Sequence, residues 1–265
     1  MDAAAVPLAL GSVASCHRHP VKSMQGMVVD HLEVDRTGVD GDRSAGVVDV
    51  GTGHLLSAKR VPELLWATGR DDAVELPDGT VVGREDPEVD QRLSAWLGRK
   101  VRLVHAGTQP DLAYEMTFDP PDDDAEVFEI PVPPGTLLDL SPVHAVVRAS
   151  LDACAGARPD VDWDVRRFRP NLVLDLDAPA WAEQSWVGRR VEVGSAVLEV
   201  TGPMVRCAMP LRSQPADADG HALERQVEVY GALSELNVEL PNHLGLCLDV
   251  VEPGRIEPGD EARVV

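Results

Sequence analysis

Apolar residues recur along the chain in short runs broken by glycine, proline and aspartate, which is the pattern of a protein built from strands. Residues 28–34 alternate in part and predict one strand, and 46–50 predict another. Gly51-Thr52-Gly53 and Asp78-Gly79 read as hairpin turns between apolar runs. Two short helices are predicted over 62–67 and 87–97, the second with Asp86 as N-cap and Gly98 as its stop. Residues 106–135 change character: Pro120-Pro121-Asp122-Asp123-Asp124 and Pro131-Val132-Pro133-Pro134-Gly135 predict a linker or crossover loop.

Beyond that segment, 142–148 predict an apolar strand running into Ser150, placed to cap a helix that ends at Ala157. Strands are predicted over 172–176, 190–193 and 197–201, with a Gly194-Ser195 hairpin and a turn at Gly202-Pro203. Leu223, Val227, Tyr230, Leu233 and Leu236 recur at helical spacing and predict a helix over about 222–236. The strands 246–251 and 262–265 close the chain around a turn-rich stretch, 252–259. There is no internal repeat. The pattern predicts an α+β protein, predominantly β, in two β-rich halves with short helices.

Composition narrows the function. With 44% hydrophobic and 26% charged residues the chain has the makings of a folded core rather than disorder. Its net charge of −21 repels a phosphate backbone, which speaks against nucleic acid as a partner unless a local basic cleft overrides it. The first residues carry no basic stretch of a signal peptide and no run is long enough to span a bilayer, so a cytoplasmic protein without a membrane partner is expected. Cys16, Cys154, Cys207 and Cys247 lie far apart and form no CxxC pair, so any chemistry they perform is that of single thiols.

Three clusters could carry chemistry. His19-Pro20-Val21-Lys22-Ser23-Met24, followed by Gly38-Val39-Asp40-Gly41-Asp42-Arg43, suits an anion clamp with Lys22 as point charge, Ser23 as donor and Arg43 as fork. A surface lysine beside a hairpin ion pair fits as well. Val165-Arg166-Arg167-Phe168-Arg169-Pro170-Asn171 is basic in an acidic protein; on an extended segment Arg169 and Asn171 would emerge on one side, suited to a planar, hydrogen-bonding ligand or to an ion-paired cover. Arg206-Cys207, set between Pro203 and Pro210, sets a thiol beside a guanidinium, as a nucleophile or soft-metal ligand requires, although buried structural cysteine is the commoner fate. Cys16-His17-Arg18-His19 has metal-like spacing, but strand alternation sends neighbours to opposite faces and a fourth ligand is lacking.

Taken in order, Pro-Val-Lys-Ser-Met, Gly-x-x-Gly-Asp-Arg, Arg-Phe-Arg-Pro-Asn and Arg-Cys resemble the MOSC family, in the subgroup with an N-terminal β-barrel domain that includes the mitochondrial amidoxime-reducing component. Ser141-Pro142-Val143-His144, Ala149-Ser150-Leu151, Trp186-Val187-Gly188, Pro253-Gly254 and Gly259-Asp260 extend the resemblance over nearly the whole chain. It implies an N-terminal barrel over about 1–105, a C-terminal MOSC β-barrel over about 112–265, and a molybdenum cofactor between them. It further implies Cys207 as the molybdenum ligand, with Lys22, Ser23, Arg43, Ser150, Arg169, Asn171 and Arg206 holding the pterin and its phosphate. The implied activity is reduction of N-hydroxylated small molecules with electrons from a separate donor of the ferredoxin or flavin reductase type. A cofactor carrier or sulfur-transfer role for Cys207, or a specialised biosynthetic enzyme, are the alternatives. Residues 208–215 depart from the family pattern after Arg-Cys, so substrate identity does not carry over.

Overall fold

The computed structural model describes residues 8–109 and 111–265. The first half runs through β1 (Ala9–Arg18), β2 (Met27–Val29), β3 (Leu32–Asp35), β4 (Gly38–Val39) and β5 (Ala45–Asp49). It continues with β6 (Thr68–Gly69), β7 (Ala73–Glu75), β8 (Val81–Gly83), α1 (Val89–Leu97) and β9 (Val101–His105). The run predicted as one strand breaks at Asp30 and His31 into β2 and β3. Helix α1 starts two residues later than predicted, because Asp86 turns its carboxylate onto the Glu88 N–H ahead of the helix. It stops where Gly98 takes φ 64°, a left-handed conformation that glycine adopts without a Cβ clash. Val21, Met24, Val47, Leu64, Leu65, Val74 and Leu93 form this half's own core between its small sheets.

Residues 106–135, predicted as a connection without regular structure, contain a hairpin of β10 (Ala113–Thr117) and β11 (Val127–Pro131). The prolines and aspartates that suggest a loop occupy only its tip and its exit. Between them the chain alternates, and the register sets Tyr114 against Ile130 and Met116 against Phe128. That apolar face packs with Val48, Leu55, Val104 and Leu137, while Glu115 and Glu129 pair on the opposite face, 3.4 and 3.2 Å from the His54 ring.

The second half comprises β12 (Val143–Val147), α2 (Arg148–Ala157), β13 (Leu172–Leu176), β14 (Arg190–Val193), β15 (Ala196–Val205), α3 (Glu228–Leu236), β16 (His243–Glu252), β17 (Gly254–Ile256) and β18 (Glu261–Val264). The order β13-β12-β16-β15-β14-β18-β1 closes into a seven-stranded barrel, because β1 pairs with β18 on one side and β13 on the other. A boundary between 105 and 112 assigns β1 to the first half, yet β1 is a stave of the second half's barrel. Strands β12 and β13 are parallel and therefore need a crossover, which α2 supplies. Val143, Ala145 and Val147 face the barrel core with Leu174, Leu198 and Leu246, whereas Val146 packs outward with Cys154, Val229 and Leu233. With both faces covered, β12 is buried at every position and reads as an apolar run interrupted only by His144. Each buried valine or leucine among them contributes about 1.5–3 kcal/mol of burial.

Three further expectations change. Strand β15 continues through Gly202-Pro203, where a turn was predicted, by way of register shifts that let a proline sit at a strand irregularity. Helix α3 begins at Glu228 and not near 222, since Gln214 and Leu223 pair as an isolated bridge ahead of it. Helix α2 begins directly at Arg148, so Ser150 lies inside its first turn and caps nothing. Among the described residues no helix is long and apolar enough to cross a membrane.

Candidate functional site

The pairings set the end of β1 beside the starts of β12 and β13, and the end of β15 beside the start of β16. The connections there enclose a cavity of about 350 Å³, and Lys22, Ser23, Arg43, Arg169, Asn171, Arg206 and Cys207 all line it. Segments far apart in sequence are thus brought together by barrel closure. Ser150 is not among them: its Oγ donates to Glu183 Oε2 at 2.8 Å and accepts from the Trp181 N–H at 2.8 Å. Both of its bonds are taken inside the α2 packing, so it does not reach a ligand in the cavity.

The lining residues differ in what they have left to offer. Ser23 Oγ accepts from the Ala58 N–H at 3.0 Å, and Asn171 is tied to the His144 N–H at 3.1 Å and the His17 carbonyl at 3.4 Å. Arg206 donates to the carbonyls of Leu244 and Phe168 and lies 2.7 Å from His144 Nε2. These three hold the loops in place. Lys22 Nζ donates to the Leu137 carbonyl at 2.8 Å and to Asp139 Oδ1 at 2.5 Å. Arg43 pairs with Asp42 and reaches the Arg169 carbonyl at 3.2 Å. Arg169 donates Nη1 to the Met24 carbonyl at 2.7 Å, while its buried Nη2 has no partner.

Backbone strain gathers at the same place. Ser23, Arg43 and Arg169 have φ of 68°, 45° and 52°, conformations that cost a non-glycine residue about 1 kcal/mol or more. The extended backbone predicted for Arg169 is therefore corrected: a left-handed kink, not strand alternation, turns its guanidinium inward.

The cavity is positive on a strongly negative chain. Lys22, Lys59, Arg43, Arg167, Arg169 and Arg206 line it against one carboxylate, Asp139. Burial, with Arg43 close by, pushes the Arg169 guanidinium down to about 9, and burial pushes Arg206 down to about 10. Both stay charged at neutral pH while short of counter-charge, which is the condition of a site that accepts an anion. Burial lowers Lys22 to about 8 although Asp139 opposes it. Burial acts on Lys59 in the same sense, but Asp139, Cys207 and Tyr114 outweigh it and leave Lys59 above its usual value.

Cys16, Cys154 and Cys247 are buried in apolar surroundings, and burial pushes the first two thiols up to about 12. Cys207 is half-buried and opens onto the cavity. Cys16 lies in the barrel core and not beside His17 and His19, and no group of three or more metal-ligating side chains is found among the described residues.

Lys59, Tyr114 and Asp139 complete the cavity and carry no motif in the sequence. Lys59 Nζ lies 3.9 Å from the Tyr114 ring centroid, a cation–π contact. The available signals were two: Lys59 is one of three lysines in the chain, and Asp139 interrupts the apolar run Leu137-Leu138-Asp139-Leu140. A second cavity of about 370 Å³, lined by His17, His19 and Val28, shares Arg169 with the first. A third space of similar volume is rimmed by Glu192, Arg255, Asp260 and Arg263; Arg255 and Arg263 there form exposed ion pairs with their neighbours.

The MOSC domain family matches residues 134–263, and the MOSC N-terminal beta barrel domain family matches residues 10–83. Among solved structures, the YuaD protein from Bacillus subtilis is similar at 11% identity over 98% of each chain, with a TM-score of 0.43. YiiM from Geobacillus stearothermophilus is similar at 15% identity over 60% of this chain and 74% of its own, with a TM-score of 0.33. YiiM from Escherichia coli follows at 15% identity, 48% of this chain, 55% of its own and a TM-score of 0.32. No curated protein matches the chain.

Proposed function

The chain belongs to the MOSC domain proteins and carries the MOSC N-terminal beta barrel domain, and from that premise we propose that its cavity holds a molybdenum cofactor and reduces N-hydroxylated small molecules. The MOSC family includes molybdenum-cofactor-binding proteins. The observation that carries the reading is Arg169: a buried guanidinium with a free Nη2, in a cavity of six cations and one carboxylate, beside a half-buried thiol. A phosphorylated pterin dithiolene needs those two things, a positive cradle and a thiolate ligand.

In this reading Cys207 ligates the metal, and Lys22, Arg43 and Arg169 face the cofactor's anionic groups. Asn171, Ser23 and Arg206 act through the framework, fixing the loops from which the other side chains project. When bound, the cofactor supplies two-electron redox chemistry with oxygen-atom acceptance. The overall reaction takes R–NHOH, two electrons and two protons to R–NH₂ and water. Lys22, oriented by the Leu137 carbonyl and Asp139, presents its ammonium group to the cofactor's anionic groups. Electrons come from a separate donor protein.

Protein made in a host that assembles the cofactor, analysed for molybdenum and then assayed with a reductase system on a panel of hydroxylamines and amidoximes, tests both halves. Stoichiometric molybdenum and turnover are expected. Molybdenum without turnover on any N–O compound ends the reductase reading and leaves a carrier role for Cys207. Absence of molybdenum ends both.

A further inference from the structure

The β10–β11 hairpin lies in residues 84–133, between the two matched family segments. It supplies Met116, Phe118 and Ile130 to the cavity wall, and Leu140, Met204 and Val205 also line it. Phe118, Leu140 and Val205 are 66%, 57% and 49% exposed, an apolar rim around the mouth of a cavity whose depth is basic. Apolar surface held open to water costs about 25 cal/mol per Å², and such a patch marks a binding surface. The Phe118 ring is held by Phe128, with centroids 4.9 Å apart and planes tilted by 54°.

The hairpin tip is tied down. Asp123 accepts from Arg212 at 2.7 Å and Arg225 at 2.8 Å, and its carbonyl accepts from Arg60 at 2.7 Å. Arg212 belongs to residues 208–215, the segment after Cys207 that departs from the family pattern. The hairpin and the segment after Cys207 thus lock onto each other across the mouth. Charge on the wall is excluded by register: Glu115 and Glu129 sit on the face opposite Met116 and Ile130. Asp139, the one carboxylate of the lining, is taken by two lysines, so a cationic substrate finds no free partner. The exposed apolar rim of Phe118, Leu140 and Val205 offers an anionic substrate no cation of its own.

We propose that this hairpin is a specificity wall that takes a neutral substrate carrying an aromatic ring, or an apolar group of that size, beside its N–O function, with the ring against Phe118. The inference rests on the reading that this cavity is the reaction site.

The test compares benzamidoxime with acetamidoxime, which share one N–O group and differ by phenyl against methyl. Their affinities for the molybdenum-loaded protein are measured calorimetrically without an electron donor, and their KM and kcat with one. The phenyl compound is expected to bind about tenfold more tightly or better. Phe118→Ser, at an exposed position where folding is not at stake, should cost the phenyl compound about tenfold in affinity and leave the methyl compound within about twofold; Phe118→Leu should retain most of the preference. Equal loss for both compounds, no loss for either, or no binding of either to the wild type overturns the proposal; in the last case the rim is a protein contact. A binding preference that follows Phe118 without N–O reduction ends the reductase reading and leaves the wall standing. Reduction of both compounds with KM values indifferent to Phe118 does the reverse.

Discussion

Lys59 Nζ stands 2.8 Å from Asp139 Oδ2, and the same carboxylate is shared with Lys22 through its other oxygen. Both lysines are buried, while Asp139 keeps 38% of its side chain open toward the cavity. Burial opposes ionisation of Asp139, but the two ammonium groups hold it well below the usual carboxylate range. The carboxylate occupies the place of an anion between two cations. Asp139→Asn should lower stability by about 1–3 kcal/mol, less than for a fully buried pair because solvent reaches the carboxylate. The same variant should gain more melting temperature than wild type on addition of inorganic phosphate, since the ion restores the missing charge. Thermal melts with and without phosphate decide it; equal phosphate responses would show that the lysines do not form an anion site.

Cys207→Ser separates metal ligation from folding. The Cys207 side chain is half-buried and contributes little packing, so the melting temperature should move by no more than about 2 °C. Molybdenum content should fall to about a tenth of wild type or less, because the variant lacks the thiolate that would ligate the metal. Wild-type molybdenum in this variant would remove Cys207 from the ligand set.

The sequence makes the clusters around Lys22, Arg43, Arg169 and Cys207 visible because each groups unusual residue types between prolines or glycines, and barrel closure then brings them together. What it hides has a physical reason in each case. Lys59 and Asp139 meet across 80 residues, a contact that no local pattern encodes. Ser150 precedes an apolar helical pattern as a cap does, but the helix begins two residues earlier and buries its hydroxyl against Glu183. The hairpin escapes notice because Pro120-Pro121 and Pro131 speak louder than the alternation of Tyr114, Met116, Phe128 and Ile130. Likewise β1 is read with its sequence neighbours, although its pairing partners lie some 160 and 250 residues further along.

Arg169→Ala should lose the cofactor while Arg255→Ala keeps it. The first removes a buried guanidinium whose Nη2 has no partner and leaves the Met24 carbonyl without its donor, at a cost of about 1–2 kcal/mol in stability. The second removes an exposed arginine paired with Glu33 and Glu257, where little changes. Molybdenum analysis of the two proteins prepared in parallel checks this. Equal metal content would show that the segment around Arg169 does not hold the cofactor, whatever Cys207 does.

Glu183 offers a pH test that leaves the cavity alone. It is 1% exposed; Oε2 accepts from Ser150 and Oε1 has no partner. Burial raises its pKa above the usual 4.5, with the Ser150 hydrogen bond opposing in part. A carboxyl with a raised folded-state pKa holds its proton more firmly folded than unfolded. Its contribution to stability is therefore fullest below the unfolded pKa and declines as pH rises through the folded one. Glu183→Gln keeps an oxygen for the Ser150 hydroxyl and removes the charge, so it should raise the melting temperature at about pH 7.5 by roughly 2–4 °C, about 1 kcal/mol for a chain of this size. Near pH 4, where both states of the wild type are largely protonated at this site, the gain should vanish. A gain of the same size at both pH values would assign it to packing, and a loss at pH 7.5 would show that the Ser150 bond to the carboxylate outweighs the cost of burying it.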